Sequence, residues 1–360
     1  MSLQTHFLKV KEIVSETTEA ITIVFDHPET GKLAYQAGQF LTLLLNIDQQ
    51  SVRRAYSLCT SPATDEYPAI TVKKVEKGLV SNYLHQTLRP GSVLEVLPPM
   101  GQFTTSFEPK QSRHLILLGG GSGITPLMAI LKAALAQEPL SQVSLLYANR
   151  DPQSIIFKEA LEKLQTQYPE RFRVVHLLEK APLFWNKGHK GRIQTKLLKK
   201  ILDSWPSFDG THTEYYMCGP GGMMQQITQS FTELGLPLDH LRKESFGVSP
   251  EEAAQKAASV LPSTSLSALP TYTVQVKYAG EEYTFDVPPD KTILQTALSL
   301  DIDLPYSCQS GMCTACMGRC VAGKVGLDEE DALTPKELAQ GYVLTCVGHP
   351  LSEGVVIEID

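Results

Sequence analysis

The 360-residue sequence has no run approaching the roughly 18 uninterrupted apolar residues of a membrane-spanning helix, which argues against a membrane partner. Its first residues, Met1-Ser-Leu-Gln-Thr-His6, carry no basic segment leading into an apolar one, so no secretory leader is expected. Cysteine is sparse and odd in number, seven in all, which argues against a disulfide framework and for a reducing, cytoplasmic compartment. A basic excess is missing too: 32 Lys and Arg face 39 Asp and Glu, net −7, which argues against a nucleic-acid partner. A single C-x2-C pair is present, whereas structural zinc usually takes two such knuckles.

The cysteines do form one informative pattern, Cys308-Gln-Ser-Gly-Met-Cys313-Thr-Ala-Cys316, with Cys346 thirty residues beyond. C-x4-C-x2-C with a remote fourth Cys is the plant-type ligand set of a [2Fe–2S] cluster, in which each iron takes a tetrahedral sulfur environment. Ser310, Gly311, Thr314 and Ala315 are small enough for a tight loop whose N–H groups turn toward sulfur. Residues 272–360 resemble the plant-type ferredoxin domain. They hold 14 acidic and 5 basic residues, net −9, so the preceding 271 hold 25 and 27, net +2.

The first third is rich in short apolar segments, at His6–Val14, Ala20–Phe25, Gln39–Leu45, Ala55–Leu58, Ala69–Val75 and Ser92–Leu97, separated by turn residues. Six such strands predict a small antiparallel barrel. Within it stands Arg54-Ala-Tyr56-Ser57, and Gly78-Leu-Val80-Ser81 opens a helix expected over Ser81–Leu88, where free N–H groups suit a phosphate.

The next segment alternates strand and helix. His114–Leu118 runs into Gly119-Gly120-Gly121-Ser-Gly123-Ile-Thr125-Pro126 and a helical pattern to about Leu135. This is not the G-x-G-x-x-G fingerprint, because Pro126 occupies its last position. Strands at Val143–Ala148, Arg173–Leu178 and Glu214–Met217, with helices near Ser154–Gln165, Thr195–Leu202 and Gly221–Leu234, predict a parallel sheet. Cys218-Gly219-Pro220 follows the last strand, where ligands of such sheets gather, and Glu244-Ser-Phe246 comes later. Arg150 offers a cation to a 2′-phosphate and Asp151 beside it opposes one, a slight lean toward NADH.

Taken in order, these motifs resemble the ferredoxin–NADP reductase superfamily, and among its members the oxygenase reductases that end in a ferredoxin domain. The resemblance implies that Arg54 meets the flavin phosphate, Tyr56 packs on the isoalloxazine and Ser57 lies by the ring. Gly78, Val80 and Ser81 would hold the phosphate or pyrophosphate, Val80 through its backbone. Gly120, Gly121, Gly123, Thr125, Arg150, Cys218 and Gly219 would bind the nicotinamide dinucleotide, and Phe246 would lie against the flavin. Ser57, Cys218 and Glu244 are the implied catalytic residues, and Cys308, Cys313, Cys316 and Cys346 the cluster ligands. Implied cofactors are FAD, a [2Fe–2S] cluster and NADH or NADPH, with FAD over FMN resting on the resemblance alone. The implied path runs from nicotinamide to flavin to cluster to a terminal oxygenase or hydroxylase. A diaphorase or NAD(P)H oxidase, or a redox-sensing binding protein, would carry the same motifs.

The expected architecture is therefore a β-barrel flavin domain over 1–106, an α/β nicotinamide domain over 107–248, a linker over 249–271 and a β-grasp ferredoxin domain over 272–360. The linker is dominated by Ala, Ser, Thr and Pro, and a flexible chain of about 20 residues reaches roughly 25 Å. Its part Glu251–Ala258 is open between coil and a helical turn or two. A hairpin is expected at Thr273–Tyr278 and Tyr283–Val287 around Ala279-Gly280, then a helix Thr292–Leu300. Cys320, in an expected strand Arg319–Val321, and Cys59 read as packing residues.

Overall fold

The computed structural model describes residues 5–182, 185, 188–205, 212–246, 270–306, 309, 311, 313–329, 333 and 335–359. Cys308, the greater part of the expected linker with Glu251–Ala258, and Glu330 and Asp331 lie outside the described residues. Two compact units emerge, residues 5–243 and residues 244–360. No helix among the described residues is long and apolar enough to cross a membrane.

The first unit opens with strands β1 (His6–Thr17), β2 (Ala20–Phe25), β3 (Phe40–Ile47), β4 (Gln50–Ser57) and β5 (Ala69–Lys73), helix α1 (Leu79–Thr87) and strand β6 (Val93–Val96). They form one antiparallel sheet in the order β4-β3-β6-β1-β2-β5. The chain just past β4 bends onto β5, through the Leu58–Ile70 bridge and the Cys59 N–H to Ala69 carbonyl bond of 2.9 Å, and so curls the sheet toward a barrel. Alternation along the strands fills its interior with Leu8, Ile23, Phe25, Leu41, Leu43, Ile70 and Val96.

The chain continues as β7 (Arg113–Gly120), α2 (Ile124–Gln137), β8 (Gln142–Asn149), α3 (Lys158–Gln167), β9 (Phe172–Leu178), β10 (Gly188–Lys190), α4 (Thr195–Ser204), β11 (His212–Cys218), α5 (Gly221–Leu234) and β12 (Leu241–Glu244). The sheet order is β10-β9-β8-β7-β11-β12, and the first five strands are parallel. Helix α2 is apolar nearly all round because eleven of its fourteen residues are buried, all but Lys132, Ala136 and Gln137. Its Leu127, Met128, Ile130 and Leu131 share one core with Leu115, Leu117 and Leu145 of the sheet and with Ala20, Cys59, Ala69 and Phe103 of the barrel segment. Helix α3 begins later than its periodicity predicts: Asp151 and Ser154 cap one another in a 3-10 turn, and Phe157 takes a left-handed φ of +60° before the helix starts.

The second unit contains β13 (Tyr272–Tyr278), β14 (Glu281–Val287), α6 (Ile293–Ser299), β15 (Met317–Ala322), β16 (Val325–Leu327), α7 (Pro335–Ala339), β17 (Tyr342–Leu344), β18 (Gly348–Pro350) and β19 (Val355–Ile359). Its mixed sheet runs β14-β13-β19-β15-β17, and β13 pairs in parallel with β19. The predicted hairpin forms with positive φ at Ala279 and Gly280. Thr292 and Gln295 form a reciprocal capping box at the start of α6, whose Ile293, Leu294 and Ala297 cover the sheet. The pairing of hairpin, helix and parallel closing strand is the β-grasp arrangement.

At the base of β7, Arg113 is buried and donates to Glu138 at 3.1 and 2.7 Å, to Glu214 at 2.7 Å, and to Thr105 Oγ1 and the Ser106 carbonyl, both at 2.9 Å. The side chains of Arg113 and Glu138 are 2% and 0% exposed. Glu138→Ala removes the fully buried partner and leaves the cation only the partly exposed Glu214 as counter-charge; it is expected to cost about 3 kcal/mol in a urea unfolding series, and a loss below about 1 kcal/mol would sink the account. Beside it, burial pulls the His114 imidazole from 6.5 down to about 4, with Arg173 adding to the effect, while its Nε2 meets Ser144 Oγ at 2.8 Å. The folded state thus binds fewer protons than the unfolded chain between those two pH values. Stability should be full above pH 6.5 and fall toward pH 4, and His114→Gln should flatten the melting temperature across this window.

Candidate functional site

The order of the parallel sheet reverses between β7 and β11: the chain moves from β7 outward to β10, then returns to lay β11 on the other side. Such a switch point opens a crevice at the C-terminal strand ends, where open α/β sheets bind ligands. Gly119 stands opposite Cys218 on β11 and opposite Tyr147 on β8. All four of Gly120, Gly121, Gly123 and Gly219 lie at this place.

The glycines serve the protein's own packing. A Cβ at residue 123 would lie 2.1 Å from the Cys218 carbonyl oxygen, and one at residue 120 would lie 2.7 Å from Met223 Sδ. At residue 219 it would meet Met223 Cε at 2.5 Å. Gly121 is different: its φ is +52°, its Cβ direction is almost open, and its carbonyl accepts from Tyr147 Oη at 2.9 Å. Thr125 is buried in the first turn of α2 and donates to the Ser122 carbonyl at 3.0 Å. Cys218 is fully buried. Sequence reasoning missed Met223 and the Tyr147 hydroxyl as parts of this crevice, because both act across long sequence separations.

In the barrel, Arg54 and Tyr56 sit two residues apart on β4, opposite Leu43 and Leu41. Arg54 is exposed and donates to the Arg53 carbonyl at 2.7 Å; Tyr56 is half-buried, and desolvation pushes its phenol well above its ordinary value. Ser57 is buried at the strand's end. Helix α1 starts after Gly78 with no side-chain cap, so the N–H groups of its first turn are not taken by a capping side chain. Ser81 Oγ, 6% exposed with its residue, accepts the Val75 N–H at 3.0 Å, and Val80 is buried behind it. A Cβ at residue 78 would lie 2.9 Å from both Ser81 Oγ and Val75 Cβ, so the turn leaves backbone bare at the helix start. That is the donor set a flavin diphosphate requires.

At the end of β8, Arg150 is engaged. Its Nε donates to Asp151 Oδ2 at 3.1 Å and its Nη2 to Glu19 Oε1 at 3.3 Å. Partial burial would raise the Asp151 carboxyl, but the bonds from Arg150 and Ser154 outweigh it and hold the carboxyl below its usual range. Glu244 closes β12, and Phe246 just beyond it is half-exposed.

In the second unit, Cys316 and Cys346 are both buried in one core, and Cys313 is partly exposed. Thr345 ties two of them together, its N–H and its Oγ1 each donating to the Cys316 carbonyl at 3.1 Å. The Gly311 N–H donates to Cys346 Sγ at 3.4 Å from a left-handed φ of +70°. An N–H aimed at a ligand sulfur is what a negatively charged cluster needs, so the loop fits a [2Fe–2S] group. Cys320 on β15 donates its thiol to the Ala322 carbonyl at 3.2 Å and packs against the sheet core. Cys59 is buried, and desolvation pushes its thiol up to about 11.

Three family models match the chain in sequence: an oxidoreductase FAD-binding domain over residues 6–105, an oxidoreductase NAD-binding domain over 117–229 and a 2Fe-2S iron-sulfur cluster binding domain over 276–351. The ferredoxin reductase component of 3-ketosteroid-9-alpha-monooxygenase from Rhodococcus rhodochrous is 38% identical, covering 98% of this chain and 96% of that protein. One of the subunits of 1,2-phenylacetyl-CoA epoxidase from Escherichia coli strain K12 is 34% identical, covering 99% and 98%. Among solved structures, phthalate dioxygenase reductase shares the fold over 99% of this chain and 98% of its own, with a TM-score of 0.58 at 22% identity. An intact type IV self-sufficient cytochrome P450 monooxygenase matches 99% of this chain with 41% of its own, at a TM-score of 0.71 and 24% identity. The chain therefore belongs to the family of oxygenase reductases that join a FAD-binding barrel, an NAD-binding domain and a 2Fe-2S domain in one polypeptide.

Proposed function

We propose that this protein is the reductase component of an oxygenase system, drawing electrons from a nicotinamide dinucleotide and delivering them to a separate terminal oxygenase in the cytoplasm. The observation that carries the reading is the presence of all three cofactor domains, in order, along a chain that matches oxygenase reductases over nearly its whole length. We assign the flavin domain to 1–106, the nicotinamide domain to 107–248, the linker to 249–271 and the ferredoxin domain to 272–360, bounds that enclose the three matched ranges. When bound, FAD accepts a hydride from NAD(P)H and releases electrons singly to the [2Fe–2S] cluster.

The chain's own residues bind and orient. The bare N–H groups after Gly78, with Ser81 and Val80, hold the flavin diphosphate, Arg54 adds a cation, and Tyr56 and Ser57 flank the ring. The crevice of Gly120, Gly121, Gly123, Thr125, Cys218 and Gly219 seats the nicotinamide half. Glu244 and Phe246 close the flavin side. Cys308, Cys313, Cys316 and Cys346 ligate iron, and the Gly311 N–H stabilises the charge on the Cys346 sulfur. A net −9 on residues 272–360 favours a basic protein surface as the acceptor's docking face.

Cys316→Ser and Cys346→Ser should each abolish NADH-driven cytochrome c reduction and the cluster's visible absorbance, while ferricyanide reduction, which draws on flavin, persists. If cytochrome c reduction survived in both, a diaphorase discharging from flavin would replace this reading; normal cluster content in Cys346→Ser would make Cys320 the fourth ligand. Electron delivery to the oxygenase should slow steeply with ionic strength, because exposed charge is screened over about 8–10 Å at moderate salt. A flat stopped-flow salt series would remove charge from the docking argument.

A further inference from the structure

We propose that Tyr147 is a positioning residue for the dinucleotide: its buried hydroxyl fixes the Gly121–Ser122 peptide so that the Ser122 N–H is presented to the diphosphate. The inference rests on the reading that the glycine turn at the switch point seats the nicotinamide nucleotide. Tyr147 touches no ligand in this account and acts through the backbone. It stands on β8 opposite Gly119 of β7, is wholly buried, and sends its hydroxyl to the Gly121 carbonyl at 2.9 Å.

A trans peptide points its C=O and its N–H in opposite directions. No cis peptide occurs among the described residues, so the Gly121 carbonyl, drawn inward to a buried phenol, turns the Ser122 N–H outward. Gly121 and Ser122 are both half-buried. Apart from its chain neighbours, the only described atom within 4 Å of a Cβ built at residue 121 is Lys73 Nζ, at 3.9 Å. An outward N–H on a left-handed turn, with an ammonium beside it, suits an anion, and the dinucleotide carries its diphosphate next to the nicotinamide half.

Such an anchor is needed because residue 121 is glycine. Its φ of +52° lies in the left-handed region, and with no Cβ the chain there also accepts the reversed peptide, in which the carbonyl oxygen faces outward and repels a phosphate. Two bonds oppose that reversal: the Ile124 N–H at the start of α2 and Tyr147 Oη both donate to the Gly121 carbonyl. The first comes with the helix. The second comes from a side chain 26 residues away, whose ring is set in the core with Leu127, Ile155 and Phe157 and lies 6.0 Å from the His176 ring. Thr125 Oγ1 holds the next carbonyl, of Ser122, at 3.0 Å, so two successive peptides of the turn are pinned by side-chain hydroxyls.

The test is Tyr147→Phe in the full-length protein, which removes one oxygen and keeps the ring. If the hydroxyl sets which peptide orientation prevails, its loss lowers the binding-competent fraction and weakens affinity in proportion. Calorimetric titration with ADP-ribose, which carries the diphosphate and no nicotinamide, should show Kd raised about three- to tenfold, the scale of one neutral hydrogen bond. KM for NADH and for NADPH should rise by the same factor, with kcat for ferricyanide reduction held. Val143→Ala, in the same strand and core but away from the turn, should lower the melting temperature without moving either constant. An ADP-ribose affinity unmoved in Tyr147→Phe would overturn the assignment, and so would a loss of kcat with KM held. A wild type that binds ADP-ribose but whose flavin neither nucleotide reduces would remove the reductase reading, while the ratio of Kd values still decides this inference.

Discussion

The first unit is organised around a helix that is buried over most of its surface. Eleven of the fourteen residues of α2 are buried. Burying a Leu or Ile fully is worth about 1.5–3 kcal/mol, whereas an ion pair at the protein surface adds about 0–1 kcal/mol. Apolar burial along Leu127, Ile130 and Leu131 therefore joins barrel to sheet, and the partly exposed pair Lys132–Asp65 at 2.8 Å adjusts the fit. Because the glycine turn 119–123 runs directly into this helix, its carbonyls and amides are held by the same burial.

The two candidate sites use glycine for opposite ends. At the switch point, Gly120, Gly123 and Gly219 let two strand ends and Met223 pack closer than any side chain allows. In the cysteine loop, Gly311 is needed for its φ and for its amide, which it turns onto Cys346 Sγ; a Cβ there would also strike Glu329 at 2.8 Å. One set creates a surface, the other delivers a charge.

Regular elements were legible where the chain argues locally. Ala20–Phe25 and Gly221–Leu234 have the bounds their periodicity predicts, and the hairpin around Ala279-Gly280 is set by its turn. The short strands Gly188–Lys190, Leu241–Glu244 and Val355–Ile359 were not, since three to five residues carry too little alternation to stand out. The cofactor motifs were likewise visible as local runs. What stayed hidden was every contact between distant polar residues: the buried Arg113 cluster, the Tyr147 hydroxyl on Gly121, and Glu19 on Arg150. Pattern reports which face is apolar, and it is silent on which charge meets which.

The shared core gives the chain an uneven modularity. Barrel and parallel sheet contribute to one apolar cluster, and Arg113 fastens the connecting residues Thr105 and Ser106 to the sheet's base. The core of the ferredoxin unit draws on residues from Val274 onward alone. A chimera that exchanged the barrel for another flavin domain would have to rebuild one side of α2, whereas a junction near residue 270 cuts no apolar cluster among the described residues. The first two segments thus stand or fall together as one packed body, and the cysteine-bearing segment is the part whose replacement leaves their core untouched.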